Sequence, residues 1–350
     1  MSFIPLSQMI STEPLPGVSI LLPVHNGETY LAEAIESVLS QTFRSFELLV
    51  IDDCSTDGSA TLVQSYSDDR IILIELEKQA GICKALNCAL DVARGKYLAR
   101  MDADDICHAE RLQKQVAFLE SHPQVGICGT WVKRFGENQV SQLYKGPTGS
   151  KNIRAFTFFD NPLVHSSVML RGDLVRDNDI RYREDFAGAE DYELWTRLLE
   201  ITEAENIPEV LLEYRVHPQS VTLSKSELMD TLACRVLTNE FSRLGMTVSE
   251  QEVLQHRLWS TGRIDRQRGR EEVENAECWL KRLVTANERS QLHDNKAFIW
   301  AVRQIWFALC YRFQALGYPI LSRFWLSSLS RGDIKNGCIL SGARVKMILG

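Results

Sequence analysis

The chain has 350 residues, 45% of them hydrophobic and 24% charged, with a net charge of −7 at neutral pH. That is ordinary globular composition, with room for one large domain and a smaller one. The acidic balance argues against wholesale nucleic-acid binding, which leaves a basic footprint.

Nine cysteines, an odd number without CxxC pairs, fit reduced thiols better than a disulfide framework or a zinc site. No basic stretch followed by an apolar core opens the sequence, so no signal peptide is expected. No run of about 20 uninterrupted apolar residues predicts a spanning helix. The charge is uneven. Residues 296–350 carry eight Lys or Arg against the single acid Asp333, a net +7 that leaves −14 elsewhere. A basic tail on an acidic body suggests a partner of its own or a solvated surface.

Residues 1–17 read as a lead-in broken by Pro5, Pro14, Pro16 and Gly17. Val18–Val24, with Pro23 inside it, is a continuous apolar run of the kind a buried parallel strand shows. His25-Asn26-Gly27 turns the chain. From Glu28 to Gln41 the residues Leu31, Ala34, Ile35, Val38 and Leu39 fall at helical spacing. Phe46–Ile51 is a second strand, ending in Asp52-Asp53 and a polar loop to Gly58. A strand over 70–75 and a helix over 81–93 follow. Lys96–Met101 is the fourth strand, and it delivers Asp102-Ala103-Asp104-Asp105. A helix over 110–120 and a strand over 125–135 complete an alternation that predicts a mostly parallel α/β sheet with right-handed crossovers.

Three carboxylates within four residues repel one another unless a cation sits among them. At a sheet's carboxyl edge, where α/β folds bind ligands, the stretch reads as a hard-cation site or as a solvated acidic turn. Asp52-Asp53 lies on the same edge. The sequence has neither GxGxxG after the first strand nor a GxxxxGK[ST] loop, which disfavours a dinucleotide dehydrogenase and a P-loop phosphotransferase. An acidic nucleotide site without a glycine cradle needs a divalent cation to meet phosphates.

Beyond Gly136 the pattern weakens. Residues 146–150 form a loop, Asn161–Leu170 a polar turn entering a strand, and Gly188–Leu199 a helix with Glu190 and Asp191 in its first turn. A strand over 210–216 ends at His217-Pro218. Past Ser226 the character is helical throughout. Ala297–Phe313 sets Phe298, Val302, Ile305, Trp306, Leu309 and Phe313 on one broad face, suited to a membrane interface or to docking on the rest of the protein.

Five segments in this order resemble the inverting glycosyltransferases of family 2: VSILLPVHN (18–26), SVLSQTFRSFELLVIDDCSTDGS (37–59), GICKALNCAL (81–90), ARGKYLARMDADD (93–105) and AEDYELWTRLL (189–199). The resemblance implies a GT-A fold, α/β with a Rossmann-like, mostly parallel sheet flanked by helices. It implies a lead-in over 1–17, a catalytic domain over 18–225, and a helical C-terminal domain over 226–350 with a docking or membrane-surface role. The combination of YLARMDADDI, NPLVHSSVMLR, IRYRED and EYRVHPQSV is most similar to bacterial enzymes that extend lipopolysaccharide or capsular glycans. Among these, the β-1,3-N-acetylglucosaminyltransferases of lipooligosaccharide synthesis are nearest in look.

Roles follow from that resemblance. Asp53, with Asp52 beside it, would bind the uracil of a UDP-sugar, since a carboxylate accepts the uracil N3–H. Pro23, Lys84 and Ala103 are implied donor contacts. Asp104 would ligate Mn²⁺ or Mg²⁺, with Asp102 near the ribose and the metal, His217 as a further metal or phosphate ligand, and Asp105 as a helix cap or outer support. Asp191 would be the catalytic base, with Glu190 orienting it, and His165 would meet acceptor or pyrophosphate. Ala85 stands where family members often carry Arg, which leaves the diphosphate clamp open. The implied partners are a nucleotide sugar, a glycan or glycolipid acceptor, and a membrane surface through residues 296–350. The implied location is the cytoplasm, peripheral on the inner face of the plasma membrane. A polyprenyl-phosphate sugar synthase and a non-catalytic nucleotide-sugar-binding relative are the alternatives. Intact DxD and Glu-Asp acids count against the second.

Overall fold

The computed structural model describes residues 15–136, 141–217, 226–265, 269–315 and 327–330. The lead-in up to residue 14, residues 218–225, and most of the basic tail lie outside the described residues.

The first half follows the sequence pattern closely. β1 (Val18–Val24), α1 (Glu28–Leu39), β2 (Phe46–Asp52), α2 (Ser59–Gln64), β3 (Ile71–Glu75), α3 (Ile82–Val92) and β4 (Tyr97–Arg100) alternate as expected. β1 pairs in parallel with β2 on one side and with β4 on the other, and β2 pairs in parallel with β3. Both faces of this sheet are covered, which explains the unbroken apolar runs. Ile20, Leu22 and Val24 pack with Leu31, Ala34, Ile35 and Val38 of α1 in one core. Leu21, Leu49 and Ile51 face the opposite way, against Leu86, Ala89 and Leu90 of α3.

The second half departs from a parallel continuation. After β5 (Ile106–Cys107) and α4 (Arg111–Ser121) come β6 (Val125–Phe135), β7 (Gln142–Tyr144), α5 (Ser150–Phe156), β8 (Met169–Arg171), α6 (Gly172–Asp177), α7 (Glu190–Leu198) and β9 (Glu203–Arg215). The sheet order is β3-β2-β1-β4-β8-β6-β9-β5, with β7 beside β6. β8 inserts between β4 and β6 and runs antiparallel to both, so the sheet is mixed, though mostly parallel along its main body. β9 is longer than its apolar half suggests. It pairs in parallel with β6 but slips register between Ile207 and Val210, and Pro208 sits in that irregularity, where no ladder donor is needed.

Among the described residues, the C-terminal region is built of helices: α8 (Ser226–Arg243), α9 (Glu250–Ser260), α10 (Gly269–Ser290) and α11 (Asn295–Ala315). Ser249 and Glu252 form a reciprocal capping box at the start of α9. The broad apolar face of α11 is buried. Phe298, Val302, Ile305, Trp306, Leu309 and Phe313 join one core with Phe156, Phe158, Phe159, Phe186 and Tyr192 from the sheet-bearing half. Docking therefore accounts for this face, and the membrane-interface alternative has no claim on it. Among the described residues, no helix is long and apolar enough to cross a membrane. The eight cysteines among them are unpaired.

Trp306 is fully buried at the centre of this shared core. Trp306→Ala is expected to cost about 3–5 kcal/mol, measured as a lowered urea midpoint.

Candidate active site

β1 and β2 end side by side, Val24 opposite Asp52, and the loops that follow are laced together. Asp53 accepts the N–H of Ala80 on one carboxylate oxygen (2.6 Å) and that of Gly81 on the other (2.8 Å). It thus sits just ahead of the N-terminus of α3, where the helix dipole favours an anion. Gly81 has φ +88°, a conformation that favours glycine. Asp52 Oδ1 accepts from Ser55 N (3.0 Å) and from the Ser55 hydroxyl. His25 Nδ1 lies 2.8 Å from the Asp53 carbonyl oxygen, and Asn26 binds Ser55 and Thr56. Both acids are buried, and each Asp53 oxygen keeps a second lone pair. Pro23 is half-buried near the end of β1.

The loop after β4 brings Asp102, Asp104 and Asp105 together, with ligand atoms within 4.8 Å of one another. Burial, then the charge of Asp102, raises the Asp104 carboxyl. Burial, then Asp102 and Asp104, pushes Asp105 well above the usual carboxylate range. An all-oxygen donor set strained by its own repulsion is what a hard divalent cation relieves, so the residues fit such an ion. His217 Nε2 lies 3.0 Å from Asp104 Oδ2, so the predicted ligand pair does meet. Asp105 Oδ1 accepts the Arg215 N–H (2.8 Å), tying the loop to the end of β9. Ala103 lies beside the turn after β1: a Cβ on Gly27 would stand 3.7 Å from its own.

Three arginines hold this loop, and the sequence reading gave none of them a role. Arg100, at the last position of β4, is 3% exposed and pairs with Asp102. Burial disfavours its charge, but the charge and hydrogen bond of Asp102 keep the guanidinium protonated. Arg215 donates Nε to the Asp104 carbonyl (2.8 Å) and lies over the rings of Tyr30 and Phe135. Arg111, 1% exposed, donates to the Arg100 carbonyl (2.8 Å) and through Nε to Gln115 (3.0 Å). The signal was present for Arg100, since an arginine ending a buried strand demands a partner. Nothing local marked Arg111 or Arg215.

Glu190 and Asp191 open α7. Burial, then the neighbouring Glu190 charge, lifts the Asp191 carboxyl to about 7, while Arg100 and Asn161 pull the other way. Asn161 Nδ2 donates to Asp191 Oδ2 (2.7 Å), and Asn161 Oδ1 accepts from Leu163 N (3.2 Å), which fixes the amide orientation. Glu190 accepts the Gly188 N–H (2.6 Å). Its other oxygen lies 3.9 Å from His165 Nδ1, and the opposite ring nitrogen of His165 meets the Tyr182 hydroxyl at 3.0 Å. Burial, then Arg100, pushes His165 well below the usual histidine range, so the ring is neutral. Lys84 is half-exposed and pairs with Glu184 at 3.3 Å. Asn161 is a further residue that sequence reasoning did not single out.

A sheet edge lined by acids, a carboxylate cluster fit for a cation and a raised carboxyl on a helix are compatible with a GT-A glycosyltransferase. Comparison with known proteins agrees. The model of the Glycosyl transferase family 2 matches residues 19–171. An uncharacterized glycosyltransferase of Haemophilus influenzae is 31% identical over 216 residues, 59% of this chain and 67% of that one. The Escherichia coli UDP-Glc:alpha-D-GlcNAc-diphosphoundecaprenol beta-1,3-glucosyltransferase WfaP is 30% identical over 211 residues, 59% of this chain and 80% of that one. The crystal structure of S. aureus TarS 1-349 in complex with UDP-GlcNAc superposes with a TM-score of 0.57 at 22% identity, covering 84% of this chain and 86% of that one, a likeness of fold. The chain belongs to glycosyltransferase family 2 and is a glycosyltransferase.

Asp53→Asn turns one acceptor oxygen into a donor facing a backbone N–H. It is expected to cost about 1–3 kcal/mol, read by urea denaturation without nucleotide.

Proposed function

We propose that this enzyme transfers a sugar, N-acetylglucosamine foremost, from its UDP-sugar to a hydroxyl of a glycan or lipid-linked glycan during assembly of a bacterial cell-surface polysaccharide. The anomeric centre inverts. The observation that carries the reading is Asp191, a carboxyl raised to about 7 and aimed by Asn161. A base with a pKa near the working pH is matched to taking a proton from a hydroxyl. The relatives support the substrate class: WfaP is named for a UDP-sugar and a β-1,3 linkage, and TarS was crystallised with UDP-GlcNAc. A lipid-linked acceptor would draw the enzyme to the inner face of the plasma membrane as a peripheral protein.

In this mechanism Asp191 removes the acceptor hydroxyl proton as that oxygen attacks the anomeric carbon. The bond from that carbon to the UDP oxygen breaks, and UDP leaves with the electron pair. A single displacement turns a UDP-α-sugar into a β-linkage. Glu190, held by Gly188, keeps the Asp191 carboxyl high and orients it. Asp53 and Asp52 meet the uracil, Pro23 and Ala103 line the donor site, and Lys84 reaches toward the diphosphate. Asp104, Asp102 and His217 would hold Mn²⁺ or Mg²⁺, which supplies positive charge against the departing diphosphate.

The test is a panel of nucleotide sugars assayed for UDP release with galactoside acceptors in Mn²⁺, Mg²⁺ or EDTA. UDP-GlcNAc with a divalent ion is expected to be fastest, and turnover undiminished by EDTA would remove the metal role. Asp191→Asn is expected to retain UDP binding and lose about 10²–10⁴-fold in kcat. Retained turnover would remove Asp191 as the base. Because the base works ionised and burial raises it to about 7, kcat/KM should climb as pH rises through about 7 and then level off.

A further inference from the structure

We propose that the C-terminal helices are a positioning device for the base, acting through Arg257 and His256 on the segment that carries Asn161. This rests on the reading of Asp191 given above. Residues 157–161 are gripped from α9. Arg257 donates Nη1 to Asp160 Oδ1 (2.5 Å), and Asp160 is the chain neighbour of Asn161. Arg257 also reaches Asp230 of α8 through Nε (3.3 Å), and Arg263 donates Nη2 to the same carboxylate at 2.7 Å. His256 Nδ1 accepts from the Trp279 indole N–H (3.1 Å), so the ring proton sits on Nε2 and is donated to the Phe158 carbonyl (2.9 Å). Tyr192, next to Asp191, donates its hydroxyl to the Thr157 carbonyl (2.6 Å) and closes the link between this segment and α7.

The approach to α7 is held in the same way. Arg235 of α8 donates to the Asp185 carbonyl and carboxylate, both at 2.8 Å, and stacks 4.3 Å over the Phe186 ring. Gly188, at φ +110°, lies against α8: a Cβ there would stand 3.6 Å from Met229 Cγ and 3.7 Å from Leu232 Cδ1. Apolar packing alone would suffice to dock these helices. A partly buried ion pair is a weak source of net stability, whereas the polar ties here fall on residues 157–160, the segment leading into Asn161, and on Asp185 and Tyr192, which flank Asp191. What such ties supply is fixed geometry, and a misplacement of about 1 Å can cost about 10²-fold in rate.

The experiment uses the full chain. Wild type and Asp191→Asn are assayed first. Transfer by the former and its loss in the latter establish the base, so failure of that reading shows itself separately. Arg257→Met is then expected to lower kcat about 10- to 100-fold with the donor KM within about twofold, and Arg257→Lys is expected to recover part of the loss. Released from Asn161, the Asp191 carboxyl rises further, so the acid limb of the kcat profile should move to higher pH. A folded Arg257→Met with wild-type kcat and an unmoved acid limb would overturn the proposal, as would an equal change in donor KM. If Arg257→Met does not fold, Asp160→Asn, which keeps the Arg257–Asp230 contact, decides by the same two readings.

Discussion

A buried cation at a strand end is what the rest of the site depends on. Arg100 closes β4 with almost no exposure, and its guanidinium pairs with Asp102. Without it, three carboxylates at the sheet edge would face one another across a poorly solvated loop, where like charges are costly. Its field reaches further than Asp102. It favours the ionised form of Asp191 and disfavours a charged His165. The two acidic motifs, more than 80 residues apart in the chain, therefore share one electrostatic centre.

The position of that centre follows from the sheet. β4 lies against β1, with Leu21 opposite Arg100, and the pair with Asp102 holds the Arg100 charge at the end of the strand. The antiparallel β8 then fills the other side of β4 and brings the turn containing His165 and Ser167 against it. Arg111 and Gln115 of α4 bind the carbonyls of Arg100, Cys128 and Ser167, which belong to three different segments. Buried polar side chains satisfied in this way specify one arrangement. They hold the acid-bearing loop while leaving its carboxylates at the edge.

The helical region belongs to the same construction. Its core is continuous with Phe156, Phe158 and Phe159, and the polar contacts of Arg257, His256 and Arg235 fall on the segments leading to Asn161 and Asp191. It stands behind α7 as β1, β2 and β4 stand behind the acidic loops that follow them. Arg100, paired with Asp102 and acting on Asp191, links the sheet edge to the start of α7.

Much was legible in the sequence. Period-3.6 apolar spacing marked α1 and α3, unbroken apolar runs marked β1 and β2, and charge clustering marked Asp102, Asp104, Glu190 and Asp191, because all are short-range signals carried by neighbouring residues. The order of motifs indicated the family. What lay beyond reach depends on contacts distant in the chain. The direction of β8, Asn161 on Asp191 at a separation of 30 residues, and Arg257 on Asp160 at 97 have no local signature. The face of α11 was ambiguous for a related reason: an apolar stripe is the same whether lipid or protein covers it, and only packing against Phe156 and Phe158 decided which. Asp53 shows the same limit at close range. Its place after β2 was evident, but that its two oxygens would accept the N–H groups just ahead of α3 required the fold to bring Ala80 and Gly81 to it.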